Sequence, residues 1–380
     1  MRVTAAALNR ATLGRQMLLE RRSLGVVEAV RRVVAVQAQN PASPYLALWN
    51  RLTDFDPTEL DEALAGFAVV KANIMRMTLH AVHADDYQAF REAMESSLRT
   101  RLNDRRFKAS GLTVDDADAL VSQLLGYTTR PRTGAECEAW LEELVGASAL
   151  PGAWWALRNY APLLRAPTGK PWSFGNRTSY VAPGTPPRLA DPDVSTAALR
   201  VLVRRYLEGF GPASVADMAH FAMVHRGLVR AAVQALGDEL EHVEGPDGKA
   251  MYDIPGGTRP DEDTPAPPRL MAMWDSILLA YVDRSRVIPP DYRKHVTRVN
   301  GDVLPTLLVD GHVAGVWRAI EDGIEATAFR PLGEGVWEGL AAEARSLLAL
   351  LADRDPLVYS RYHHWWSRPL PSAEVRLLAG

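Results

Sequence analysis

The segment Val36-Gln-Ala-Gln-Asn-Pro41 sets two glutamines one residue apart, between an apolar helical run and a proline turn. A glutamine amide takes no proton at neutral pH, so its chemistry is confined to donating and accepting hydrogen bonds. Two amide carbonyls converging on one water could orient it for attack and stabilise developing charge through their dipoles. Convergence requires Gln37 and Gln39 to face the same way. In a regular helix residues two apart point to different sides, whereas in an extended segment they share a face. Asn40 precedes Pro41 and is pushed out of the α region, so the helix from about Gly25 is expected to finish near Gln37 to Gln39 in an extended or irregular exit. Without such an exit the two amides read as caps or solvated residues of an ordinary helix end.

Other residues that could carry chemistry are fewer. Asp275 in the Trp-Asp-Ser stretch and Asp283 are candidate carboxylates to assist the glutamines, although the apolar flanks of Asp275 favour a hydrogen-bonded structural aspartate. The histidine groupings His80/His83, His220/His225 and His363-His364 have no carboxylate partner at metal-ligand spacing, which favours structural or surface roles. The single cysteine, Cys137, leaves no internal disulfide or thiolate cluster to form. No Walker loop, dinucleotide fingerprint, zinc-finger spacing or nucleophile elbow occurs. With only five lysines among 43 basic residues, covalent catalysis through a Schiff base is not favoured.

The elements that must position these residues fall into groups of helices, each closed by two short strands. Apolar periodicity marks helices over 4–20, 25–37, 45–52 and 57–65, followed by a β-rich pair in residues 67–87. Thr4, Asp56 and Asp85 are expected N-caps, with Pro57 at a first helical position. A second group starts at Thr113, continues at Thr133 and Pro151, and ends in two strands around a Pro/Gly turn (LLRAPTGKPWSFGNRTSYVAP). The third runs through STAALRVLVRRYLEGFG, PASVADMAHFAM and HRGLVRAAVQALG to a hairpin with Pro-Asp-Gly at its tip. Three helices plus a hairpin is the plan of a winged helix. Beyond the Pro-rich segment 256–269, alternating strands with Asn-Gly-Asp and Asp-Gly turns suggest a small barrel, then a helix and the aromatic tail YHHWW, expected to cover the barrel core. The reading is α+β, mainly α: winged-helix units at 1–110, 111–190 and 191–260, and a β-barrel-like region with a terminal helix at 261–380.

With 47% apolar and 23% charged residues the chain reads as an ordinary folded protein. No run of about 18 apolar residues and no signal segment is seen, so a cytoplasmic protein without a membrane partner is expected. The net charge of −3 argues against indiscriminate coating of nucleic acid. Its distribution is uneven: residues 1–36 hold seven arginines against two glutamates, and residues 99–108 hold five basic residues against one aspartate. A third cluster, Arg284, Arg286, Arg293, Lys294 and Arg298, is the expected DNA contact, together with Arg165 and Lys170 on the strand pair of the second group.

The segments LNRATLGRQMLLERR, VQAQNPASPY, RYLEGFGPASVADMAHF, MAMWDSILLAYVDRSRVIPPDYR and VNGDVLPTLLVDGHVAGVWR resemble the AlkZ-like winged-helix DNA glycosylases over nearly the whole chain. The resemblance implies tandem winged helices and a C-terminal β-barrel forming a C-shaped, concave DNA-binding scaffold. It also implies catalysis by a Gln-apolar-Gln or Gln-apolar-Asp motif, matched by Gln37-Ala38-Gln39. The expected activity is monofunctional hydrolysis of N7-alkylguanine from duplex DNA, including bulky adducts and interstrand crosslinks. The expected setting is base excision repair near the bacterial nucleoid, or self-resistance to a crosslinking natural product such as azinomycin. No metal or organic cofactor is implied, and a monomer is expected. The alternative is a non-enzymatic winged-helix regulator or damage-shielding protein.

Overall fold

The computed structural model describes residues 2–378. Its helices begin where short polar side chains can take the free N–H groups of a first turn. Thr4 accepts from the Ala7 N–H at 3.0 Å at the head of α1 (Ala5–Arg15). Next come α2 (Val26–Val33), α3 (Ser43–Trp49) and α4 (Pro57–Ala65), the last capped by Asp56 with Pro57 at its first position. α1 stops at Arg15, short of the expected Glu20, because Met17 adopts a left-handed φ of 55°. Asp85 lies inside the first turn of α5 (Ala84–Ala93); its cap is His83, whose Nδ1 accepts from the Asp85 N–H at 3.1 Å.

Thr113 and Thr133 each close a reciprocal cap, with Asp116 and Glu136, on the helices Val114–Tyr127 and Gly134–Val145. The third group consists of helices Pro192–Phe210, Val215–Ala222 and Arg226–Leu236 followed by a hairpin, in the order read from the sequence.

Six short strands, β1 (Val36–Gln37), β2 (Val69–Asn73), β3 (Leu79–His83), β4 (Arg132–Thr133), β5 (Leu164–Ala166) and β6 (Ser179–Val181), make one antiparallel sheet in the order β1-β3-β2-β5-β6-β4. Residues of the first and second helical groups therefore meet in a shared sheet. The hairpin of the third group, β7 (Glu241–Glu244) and β8 (Ala250–Asp253), stands apart.

The C-terminal region holds β9 (Arg269–Leu270), β10 (Thr306–Val309), β11 (His312–Ile320), β12 (Gly323–Ala328) and β13 (Glu374–Leu378), ordered β13-β12-β11-β10-β9. The small barrel expected here is an open five-stranded sheet. Among the described residues its edges β9 and β13 do not pair, because the helix Glu334–Leu351 packs against β9, β12 and β13 and closes that side.

Two large cores divide the chain. One joins α2, α3 and α4 to the C-terminal sheet, its helix and the buried Tyr362 and Trp365 of the aromatic tail. The other runs from Val34 and the β2–β3 pair through the second and third helical groups. The arginines of α1 serve this packing. Arg10 and Arg15 are buried and paired with Asp310 and Asp253, at 2.5 and 2.7 Å, so they offer no surface to a polyanion. Among the described residues no helix is long and apolar enough to cross a membrane.

Candidate functional site

The segment bearing the two glutamines is shaped by a turn centred three residues before Gln37. α2 ends at Val33, earlier than the Gln37 to Gln39 limit expected from Pro41, because Val34 takes φ 74° and ψ −54° while the Ala35 N–H bonds the Val33 carbonyl at 2.9 Å. This is a γ-turn, strained for a β-branched residue and costing on the order of 1–3 kcal/mol. Its surroundings hold it in place. Val34 is fully buried against Gly209, where a Cβ would fall 2.6 Å from a Val34 methyl. Gln16 donates to the Gly209 carbonyl at 2.9 Å and to the freed Val33 carbonyl at 3.4 Å. Ser276 donates to the Ala35 carbonyl at 2.8 Å, and its neighbour Asp275 forms a two-pronged pair with Arg51, both contacts at 2.8 Å.

Past the turn the chain is extended. Val36 pairs with Ala81, Gln37 with His80, and the Ala38 N–H bonds the Leu79 carbonyl at 2.9 Å. Asn40 then accepts from the Ala42 N–H at 2.9 Å and turns the chain into α3. The extended exit exists, and the Val34 turn and the pairing with β3 produce it.

Gln37 and Gln39 both line one cleft of about 680 Å³. Gln37 is buried, with 3% of its surface exposed, while Gln39 is exposed. The Gln37 oxygen accepts from Arg76, and its Nε2 lies 3.3 Å from the Thr78 hydroxyl. The Gln39 oxygen accepts from the Leu79 N–H at 3.4 Å. Arg76 sits in the tight Met75–Met77 turn between β2 and β3, at a left-handed φ of 54°. Its other hydrogen bond is to His80 Nε2 at 3.2 Å, so His80 is neutral with its Nδ1 donating to the Thr78 carbonyl at 3.2 Å. Burial, then the Arg76 charge, hold His80 well below the usual histidine range. Burial and nearby Arg284 lower Arg76 to about 9, which leaves it charged at neutral pH. No local pattern announces this contact: Arg76 is one arginine in an apolar run, and only the β1–β3 register brings it to Gln37.

Five arginines, Arg76, Arg158, Arg165, Arg284 and Arg361, line the cleft against one carboxylate, Asp302. Of the residues expected to contact DNA, Arg165 and Arg284 are among them, Arg165 over the Tyr180 ring at 4.2 Å and Arg284 donating to Thr297 at 2.9 Å. Arg286 turns away, stacking on Tyr281 at 3.9 Å and donating to the Pro212 carbonyl at 3.0 Å. Lys170, Arg293 and Lys294 are exposed outside the cleft lining, and Arg298 lies 5.0 Å from the Trp365 ring. Arg361 and Tyr362, from the aromatic tail, and Trp274 complete the wall; the adjacency of arginine to that tail was the available signal.

Asp275 and Asp283 lie outside the cleft lining. Asp275 is buried on Arg51, and Asp283 caps the Ser285 N–H at 3.0 Å. Asp302, on the turn Thr297–Val303, accepts from Trp365 Nε1 at 2.8 Å and Asn300 at 2.9 Å. Among the described residues no three His, Cys, Asp or Glu side chains are grouped to hold a metal.

Behind Arg165, its sheet partner Lys71 is buried with its ammonium 4.0 Å from the Phe174 ring centre. Burial, then Arg165, lower its pKa to about 7. The unfolded chain keeps this proton up to about pH 10, so the cost of the buried charge is full below about 7 and fades as pH rises towards 10. Lys71→Met is therefore expected to raise the melting temperature most at or below neutral pH, with the advantage shrinking towards pH ~10. A difference that stays constant over that range in thermal melts would contradict this assignment.

The family model for AlkZ-like DNA glycosylases matches residues 30–350. The chain is 23% identical over 339 residues to the interstrand DNA cross-link repair glycosylase of Streptomyces sahachiroi, a match covering 83% of this chain and 88% of that protein. Its fold matches that of the S. sahachiroi DNA glycosylase AlkZ with a TM-score of 0.76 at 20% identity, covering 92% and 96% of the two chains. With the family match spanning most of its length, the chain belongs to the AlkZ-like family of DNA glycosylases and is a DNA N-glycosylase.

Proposed function

We propose that this glycosylase removes N7-alkylated guanine from duplex DNA, including bulky adducts and interstrand crosslinks, and leaves an abasic site. The observation that carries the reading is the pair Gln37 and Gln39 on the wall of an open cleft whose charged lining is five arginines and one aspartate. An alkyl group on N7 makes the base a cation, so it departs neutral and needs little acid assistance. Water adds to C1′, the bond from C1′ to N9 breaks, its electron pair neutralises the purine ring, and the water's proton passes to solvent. The machinery can therefore consist of amides that position water, with no strong base.

The two amides divide this work. A guanidinium on the Gln37 oxygen draws density from it, which makes Gln37 the poorer acceptor and a fixed post. The exposed Gln39 carbonyl retains a lone pair for the water. Asp302 supplies negative charge to the oxocarbenium-like sugar. The other four arginines, Arg158, Arg165, Arg284 and Arg361, hold phosphates, which also offset the repulsion between a cationic wall and a cationic base. An open cleft suits a guanine tethered to the opposite strand, which cannot swing fully into a deep pocket. The relative described as an interstrand DNA cross-link repair glycosylase supports the same reading. Repair of damage from a crosslinking natural product such as azinomycin, by a monomer in the bacterial cytoplasm, is the setting that fits.

The test is incubation of the protein with a duplex carrying N7-methylguanine and one carrying an N7-guanine interstrand crosslink. Free alkylguanine from the first and separated strands from the second are expected. Release from the first alone would restrict the proposal to monoadducts, and release from neither would overturn it.

A further inference from the structure

The basic segment 99–108 takes no part in the cleft lining, yet it abuts it. Exposed Arg158 lines both the cleft and a neighbouring cavity of about 390 Å³, whose walls include Arg106 and Trp155. The Arg106 guanidinium lies 3.9 Å from the Trp155 ring centre, and that of Arg101 lies 5.6 Å from it. Exposed Arg105 and Lys108 flank the stack on the short helix Arg105–Lys108. That helix is pressed onto the helix Leu150–Tyr160 at Gly152, where a Cβ would fall 2.2 Å from the Arg106 carbonyl oxygen. Asp104 is the one acid in the segment, and it is engaged by the Arg106 Nε at 3.1 Å and N–H at 2.9 Å. Among the described residues Arg101, Arg105, Lys108 and Arg158 form no salt bridge.

We propose that this patch is a second DNA contact, gripping the phosphate backbone of the duplex that flanks the lesion. The inference rests on the cleft being the site where damaged DNA sits. The Arg106 guanidinium is pre-ordered by the indole and by Asp104 on its Nε, which leaves its two terminal nitrogens to meet a phosphate oxygen pair. The indole offers an apolar face to the sugars. Arg158 makes the patch continuous with the cleft, so a duplex centred there would pass over Arg105 and Lys108 beyond one end. Such a contact anchors the enzyme without touching the damaged base, which matters when a crosslink prevents full extrusion.

The experiment compares intact wild-type protein with Arg105→Ala/Lys108→Ala, measuring anisotropy of labelled duplexes of about one and about three helical turns, roughly 10 and 30 base pairs. On the longer duplex the variant is expected to bind about tenfold more weakly near 0.1 M salt, with the slope of log affinity against log salt smaller by about two. On the shorter duplex the two proteins are expected to bind alike. Both side chains are exposed, so the melting temperature should stay within a few degrees, and a thermal melt controls for folding. An unchanged salt slope on the longer duplex, or an equal loss on both, overturns the proposal; an acidic protein partner for the patch would give the first result. If wild-type protein binds neither duplex in a salt-dependent way, the reading of the cleft itself fails.

Discussion

Arg76→Met is expected to lower the rate constant for base release by about a hundredfold, close to the loss from Gln37→Ala, because a small displacement of a positioning group costs about that much. Arg76 lines the cleft with its guanidinium committed to the Gln37 oxygen and His80, so it acts through Gln37. Two features separate that role from a merely structural one. The double variant Gln37→Ala/Arg76→Met should be little worse than either single variant, since both remove the same interaction. Arg76→Lys should recover part of the rate, because one guanidinium nitrogen makes both the Gln37 and His80 bonds and an ammonium can still donate to the amide oxygen, though from a differently shaped side chain. Single-turnover release at saturating enzyme measures both. If the two losses multiply, Arg76 and Gln37 act independently and the assignment of Arg76 as the residue that fixes Gln37 is wrong.

The second large effect concerns stability. Asp275→Ala strips the partner from Arg51, a buried guanidinium whose two terminal nitrogens both bond Asp275. An uncompensated buried charge costs about 3–5 kcal/mol. The damage should reach the site as well, since Ser276 next door holds the Ala35 carbonyl and Arg51 approaches the Gln16 amide at 3.5 Å. Replacing both partners, as Arg51→Met/Asp275→Leu, is expected to restore most of the stability, because the apolar pair leaves no charge to desolvate. Urea unfolding would read these shifts. A loss below about 1 kcal/mol in Asp275→Ala would mean that Arg51 finds water or another acceptor there.

Local signals were legible in the chain. Thr4 and Asp56 cap the helices expected of them, the strands around Leu164 and Tyr180 flank the Pro/Gly turn, and the third helical group follows its apolar periodicity. These features depend on neighbours a few residues away. The features that failed depend on distant ones. The γ-turn at Val34 exists because Gly209, Gln16 and Ser276 converge on it, and no local pattern announces a strained β-branched residue. Arg10 and Arg15 read as a basic surface because their carboxylate partners, Asp310 and Asp253, come from far along the chain. The same blindness hid Arg76. For the site, the motif pointed to Gln37 and Gln39, and the structure puts both on one cleft; their chemical roles are for experiment.

That experiment is single-turnover release of free base from a duplex with one N7-methylguanine, comparing wild-type protein with Gln37→Ala/Gln39→Ala. The proposed mechanism predicts rapid release of 7-methylguanine by wild type and a loss of at least about a hundredfold in the variant, with duplex affinity and melting temperature nearly unchanged. Release that proceeds undiminished without the two amides would contradict it.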